Sequence, residues 1–141
     1  MTAIAADGIL VRDDKIILIK RAGRTFHDYW ALPGGFLEEG EPIEETLKRE
    51  MHEELSVAID PVAILGVYSA PDRDPRGHTL SVVFICNFFG EPQACDDAGA
   101  FDFFTVAEAL SSQIAFDHRL ILEDFRQWRL SKGTFWSNKN R

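Results

Sequence analysis

Cysteine is scarce in this chain of 141 residues: Cys86 and Cys95 are its only two. That pair makes neither a disulfide framework nor a metal-ligand spacing. Cys86 lies in an apolar run and reads as a small buried hydrophobe. Long hydrophobic runs are missing too. No stretch approaches the ~20 apolar residues of a membrane span, and no basic segment leads into a short apolar one at the N-terminus, as a secretory leader would. These absences predict a cytoplasmic protein that does not act at a membrane. Positive charge is in deficit: 15 Lys and Arg stand against 23 Asp and Glu, a net charge of −8. Such a balance argues against general nucleic-acid binding, which needs a basic face. It either serves solubility or, for an anionic substrate, calls for cations at the site. No repeat, low-complexity tract or linker divides the sequence. The length predicts one domain over residues 1–141, large enough to bury a core.

What the chain has in abundance is glutamate in one place. Residues Gly35–Val57 read GFLEEGEPIEETLKREMHEELSV, with eight Glu in 23 positions. Glu50, Glu53 and Glu54 are spaced three and four apart, so on a helix their carboxylates share a face. Like charges at i,i+4 destabilise a helix by about 0.2–0.5 kcal/mol per pair. A divalent cation would reverse that sign. Mg²⁺ takes oxygen ligands and commonly uses one or two carboxylates together with substrate phosphates. The pattern therefore points to a metal site for a phosphorylated substrate, against the blander alternative of a solvated helix face.

The rest of the chain supplies a frame for this helix. Thr2–Arg12 and Lys15–Arg21 predict two strands joined by a turn at Asp13-Asp14. Tyr29–Leu32 is a short apolar piece stopped by Pro33-Gly34-Gly35, and Gly34 and Gly35 are expected to adopt backbone angles that a side chain would forbid. Glu41-Pro42 opens the helix, and Ile43, Leu47, Met51 and Leu55 form an apolar stripe for packing on a sheet. A strand region broken at Asp60-Pro61 follows, then a polar turn, then the strand Thr79–Phe89. Phe101–Phe104 predicts a short strand, Val106–Ser111 and Phe116–Leu130 predict helices, and Ser131–Arg141 is expected to pack loosely on the surface. This order implies an α/β domain with a mixed sheet flanked by helices.

The acidic segment resembles the Nudix box, G-x5-E-x7-R-E-U-x-E-E-x-G-U with U a bulky apolar residue. Gly35, Glu41, Arg49, Glu50, Met51, Glu53, Glu54 and Val57 stand at matching positions, and Ser56 replaces the second Gly. The resemblance extends over nearly the whole chain and implies the Nudix α/β/α sandwich, with its mixed sheet between helices. It implies hydrolysis of a nucleoside diphosphate linked to some group X. By position it implies Glu50, Glu53 and Glu54 as ligands of Mg²⁺, with Mn²⁺ as an alternative, and the Gly35 carbonyl as a further ligand. Arg49 would orient these carboxylates, against the alternative of an i,i+4 pair with Glu45, and Glu44 and Lys48 are spaced for a parallel pair. Glu41 would reach a metal through water. The general base is open among Glu50, Glu53 and the Asp96-Asp97 pair, with Asp97 the candidate in that loop. Ser56, where a left-handed Gly is usual, predicts a cost of about 1 kcal/mol and no loss of chemistry.

Three further features, the first overlapping the start of the box, resemble the ADP-ribose pyrophosphatase group of that family. They are Trp30–Phe36 (WALPGGF) with Glu38–Glu41 (EEGE), the turn Tyr68–His78 (YSAPDRDPRGH), and Phe116-Asp117-His118 before the last helix. The resemblance implies ADP-ribose as substrate, AMP and ribose 5-phosphate as products, and a homodimer. Arg73 and Arg76 could bind phosphate or stack on a base, or pair with Asp72 and Asp74. Arg21 and Arg24 could contact phosphate, the Gly34 amide could do the same, and Trp30 and Phe36 are either core or base-stacking residues. His78 and His118 read as structural. The alternatives are a MutT-like nucleoside triphosphate pyrophosphohydrolase and a non-catalytic ligand sensor.

Overall fold

The computed structural model describes residues 1–95 and 99–141. In chain order the elements are β1 (Ala3–Arg12), β2 (Lys15–Lys20), β3 (Trp30–Ala31), β4 (Gly34–Phe36), α1 (Ile43–Leu55), β5 (Ala58–Tyr68), β6 (Thr79–Phe89), β7 (Ala100–Phe104), α2 (Val106–Leu110), α3 (His118–Ser131) and β8 (Phe135–Trp136). No helix among the described residues is long and apolar enough to cross a membrane.

Side chains alternate across a strand with period two, and the central strands use both faces. Leu10, Ile17, Phe84 and Cys86 join one buried cluster with Leu47, Met51 and Leu55 of α1. Their neighbours Ile9, Ile16, Leu18, Val83 and Ile85 join a second cluster with Ile121, Leu122 and Phe125 of α3. Helices therefore cover both faces of a mixed sheet, and the fold is the expected α/β sandwich. Burying each large apolar side chain of the α1 stripe contributes roughly 1.5–3 kcal/mol, which fixes that helix against the sheet.

The strand order is β3-β2-β1-β6-β5-β8, with β4 paired to β1 and β7 to β2. β1 runs parallel to β6 from Ala3↔Thr79 to Val11↔Asn87. On its other side β1 changes partner: Ala5–Asp7 pair with β4, while Val11 and Arg12 pair with β2. The expected hairpin is thus confined to its tip. The sheet opens where these two partners diverge.

Three local readings are corrected. Asp60-Pro61 does not break its strand, because β5 absorbs the proline at a register shift between Pro61 and Ala63, a place where a missing N–H is tolerated. Lys48 pairs with Glu45 at 3.5 Å rather than with Glu44. Residues 131–141 do not merely rest on the surface: β8 adds to β5 in parallel, and Phe135 is buried.

Ser56 is the C-cap of α1 at φ 57°, ψ 32°, and its N–H donates to the His52 carbonyl. The helix ends as a glycine would end it, with a side chain in left-handed space. Ser56→Gly is expected to raise stability by about 1 kcal/mol without changing turnover, and urea melts beside kinetic assays check both halves.

Candidate active site

The opening between the partners of β1 is a cavity of about 390 Å³. Ala5 and Asp7 of β1 form part of its floor, with Leu32, Gly34 and Gly35 on one side and Ile19–Arg21 at the end of β2 on another. Glu50, Glu53 and Glu54 of α1 line it, and Arg73, Asp74, Arg76 and Thr79, with Phe116 and His118, complete the wall. The sandwich thus brings the acidic helix, the polar turn after β5 and the start of α3 to one place.

Arg49 organises the acidic face. Its Nε and Nη2 donate to the two oxygens of Glu41 at 2.9 and 3.1 Å, and Nη1 donates to Glu50 Oε1 at 2.9 Å. Nη2 also reaches the Phe36 carbonyl at 3.1 Å, and Nη1 approaches Glu53 at 3.5 Å. A planar guanidinium suits such a fork. Glu45 is not among its partners and pairs with Lys48 instead. Glu41 is fully engaged: besides Arg49 it accepts from the Glu38 N–H at 3.0 Å and from Thr46 Oγ1 at 2.7 Å. The Arg49 hydrogen bonds, then that N–H, hold the Glu41 carboxyl down at about 2. Glu41 thereby anchors Arg49.

Gly34 and Gly35 matter for close approach. Neither has positive φ. A Cβ on Gly35 would lie 2.2 Å from the Glu50 carboxyl carbon, and one on Gly34 would lie 2.2 Å from Asp7 Oδ1 and 2.3 Å from the Ala6 carbonyl oxygen. The missing side chains let a carboxylate and a strand pack against the loop. Gly34→Ala presses on backbone and should destabilise the fold by about 1–3 kcal/mol, read as a lower midpoint in urea. An unshifted midpoint would mean that the strands separate freely.

The cavity stresses its ionisable groups. Burial, then the charges of Glu50 and Asp7, push the Glu54 carboxyl up to about 8. Among the described residues, Glu54 Oε2 is the buried side-chain polar atom that has no hydrogen-bond partner. Burial raises Asp7 to about 6 against the opposing hydrogen bond from Ser81 Oγ. Burial, then the neighbouring Arg73 and Arg21, drive His118 down to about 3. Its Nδ1 accepts the Leu32 N–H at 3.0 Å, so in the neutral ring Nε2 carries the proton.

The turn after β5 has paired its own charges. Arg73 is buried and forks onto Asp117 at 2.7 and 2.9 Å. Arg76 forks onto Asp74, and its guanidinium lies 5.3 Å from the Phe116 ring centroid and 5.8 Å from that of Phe36. Arg21 lies 4.7 Å from the same Phe116 ring. Phe116 stands at φ 54°, an uncommon angle for an aromatic residue. Trp30 packs edge-on against Phe104 in the core, and Arg24 is exposed outside the cavity lining. Those two expected substrate contacts are not brought to the site. Asp97, the candidate base, lies outside the described residues. Asp7 and His118 were not foreseen as members of the site. A lone acid in the apolar strand AIAADGILV was the available signal for the first.

The residues fit a hard divalent cation by chemistry. Carboxylate and carbonyl oxygens are its natural ligands, and a buried unpaired carboxylate oxygen calls for a counter-charge. The set is not closed as it stands: among the described residues no three acidic, His or Cys side chains converge tightly enough to hold an ion. Arg49 engages Glu50 and Glu53 instead.

Comparison with known proteins gives consistent matches. The family described as NUDIX domain matches residues 1–125. An ADP-ribose pyrophosphatase of Methanocaldococcus jannaschii is 47% identical over 128 residues, 90% of this chain and 75% of that protein. A MutT NUDIX hydrolase from Burkholderia pseudomallei superposes with a TM-score of 0.79 at 29% identity, covering 88% of this chain and 98% of that one. The NUDIX domain of Shewanella oneidensis NrtR, solved with ADP ribose, gives a TM-score of 0.79 at 27% identity over 93% of this chain and 90% of that one.

Proposed function

This chain belongs to the Nudix family and is a Nudix pyrophosphohydrolase; we propose that it cleaves ADP-ribose into AMP and ribose 5-phosphate. The observation that carries the choice of substrate is the 47% identity to an ADP-ribose pyrophosphatase along 90% of the chain. An ADP-ribose complex of a structural neighbour supports it. So does the cavity, which joins a carboxylate face to a wall of guanidinium and aromatic groups.

Mg²⁺, bound by Glu50, Glu53, Glu54 and the Gly35 carbonyl, would supply Lewis acidity toward a phosphoryl oxygen and a more acidic water. The chain's own residues do the rest. Arg49 holds Glu50 from one side and is itself held by Glu41. Glu54 contributes an oxygen with no competing partner. Arg21 and Arg76 flank Phe116 at the cavity wall, where a guanidinium can meet phosphate or stack on a base. Arg73 positions the start of α3 through Asp117. Glu50, Glu53 and Asp97 are the proposed bases for the attacking water. A single domain, a homodimer and a cytoplasmic setting complete the proposal.

A substrate panel tests it. The kcat/KM for ADP-ribose should exceed that for other nucleoside diphosphate sugars, dinucleoside polyphosphates and nucleoside triphosphates by at least about tenfold, which is 1.4 kcal/mol of discrimination. A triphosphate at the head of the panel would keep the reaction class and overturn the substrate.

A further inference from the structure

Residues beyond the NUDIX match at 1–125 contact the end of β5 and the root of the turn that follows it. β8 seats Phe135 and Trp136 on Gly66 and Val67 of β5, so the following Ser137 lies against the end of that strand. Ser137 Oγ accepts both the Ser69 N–H at 2.9 Å and the Ala70 N–H at 3.1 Å. These are the first two amides of the turn that carries Arg73, Asp74 and Arg76 to the cavity. The turn is closed across its base where His78 Nε2 meets the Ser69 carbonyl at 2.8 Å, and the Ala70 carbonyl accepts the Arg73 N–H at 3.2 Å.

The segment that presents Ser137 is itself pinned. Arg141 donates to the carbonyls of Trp136 and Ser137, each at 2.8 Å, and forks onto both oxygens of Asp124 at 2.9 and 2.7 Å. Asp124 is buried and also accepts the Tyr68 hydroxyl at 2.8 Å. Tyr68 is the last residue of β5, directly before the turn. One network therefore ties α3, the end of β5 and the residues after β8 to the root of the substrate-facing turn.

We propose that Ser137 and Arg141 are positioning residues: they form a strap that sets the Ser69–His78 turn for binding a nucleoside diphosphate derivative. Neither lines the cavity that holds Glu50, Glu53 and Glu54, so both act through Ser69, Ala70 and the arginines beyond. The inference rests on the reading of that cavity as the substrate site. Without the serine acceptor, two backbone N–H groups at the turn root lose their partner, each normally contributing on the order of 1 kcal/mol. The turn then samples open positions, and binding weakens by the fraction of time spent there. The chemistry at α1 is untouched.

The test has two arms. In substrate-free protein, Ser137→Ala should speed amide exchange in residues 69–78 by about tenfold, followed by NMR, with α1 unchanged. Ser137→Thr keeps the hydroxyl and should restore protection. In kinetics, Ser137→Ala should raise KM about tenfold with kcat within about twofold, and Arg141→Gln should do the same. Asn138→Ala, exposed beside Ser137, serves as the neutral control. If Ser137→Ala fails to fold, Arg141→Gln carries both readouts. Unchanged exchange at 69–78 overturns the strap whatever the substrate is. Raised exchange with unchanged KM, for whichever substrate the wild type turns over, overturns the positioning role. Absence of ADP-ribose turnover in the wild type contradicts the functional reading alone, and the exchange arm still decides the strap.

Discussion

Glu54→Gln should lower kcat by about three orders of magnitude, the scale of removing a group that stabilises charge in a transition state, while making the metal-free protein more stable. The same change has opposite signs for function and fold because Glu54 is a buried carboxylate with a bare oxygen. Glutamine keeps the shape and removes the charge. The pH dependence separates this from a general loss of structure. The folded carboxyl is raised to about 8 from 4.5, so between those values the folded state binds more protons than the unfolded one. Metal-free stability from this group is complete below the unfolded value and is lost as pH rises through the folded one. Asp7, raised to about 6, acts with the same sign at lower pH. His118, lowered to about 3, acts with the opposite sign below its unfolded value of 6.5. The window from pH 6.5 to 8 therefore isolates Glu54. There the EDTA-treated wild type should lose up to about 2 kcal/mol as pH rises, and Glu54→Gln should lose almost none. Denaturant melts at three pH values measure this. Parallel curves for the two proteins would remove the buried charge from the account. Glu53→Gln should match the loss of turnover without the gain in stability, since Glu53 is exposed.

Arg49→Lys should lower kcat by about 10- to 100-fold, the range for residues that orient metal ligands, although charge is retained. Lysine offers one point of charge where arginine bridges Glu41, Glu50, the Phe36 carbonyl and, more distantly, Glu53. Released from this fork, Glu50 would move in the space that Gly35 leaves for it. Steady-state kinetics across Mg²⁺ concentrations provides the readout: the concentration for half-maximal rate should rise with the fall in kcat. Wild-type kinetics in Arg49→Lys would reduce the fork to a surface ion pair, worth little.

The acidic helix shows what a sequence reveals by itself. Leu47, Met51 and Leu55 recur at a helical step and must face a core, and Glu50, Glu53 and Glu54, spaced three and four apart, form a second stripe whose Glu54 edge borders the apolar one. The continuous apolar runs Ile16–Leu18 and Val83–Cys86 read as strands, and only the fold shows that alternate residues enter opposite clusters, so that the sheet is buried on both faces. Long-range partners were beyond such reasoning. Nothing local says that β1 exchanges β4 for β2 along its length, yet that exchange opens the cavity. Nothing near Arg73 says that its fork will close on Asp117, 44 positions away. Trp30 carries the same apolar character whether it faces Phe104 or a substrate. Gly34 and Gly35 were legible as glycines that must be glycines, but the reason is the nearness of Asp7 and Glu50, which only the fold supplies. The strap after β8 was missed because two aromatics among polar residues give no periodic signal.

The central claim is that the Glu50, Glu53 and Glu54 face makes the chain a cation-dependent ADP-ribose pyrophosphatase. The most direct measurement follows ADP-ribose by chromatography with the wild type in Mg²⁺, then with EDTA, then with Mg²⁺ restored. The account predicts equal amounts of AMP and ribose 5-phosphate in the first state, no products in the second and full recovery in the third. Turnover that persists in EDTA, or intact ADP-ribose throughout, would contradict it.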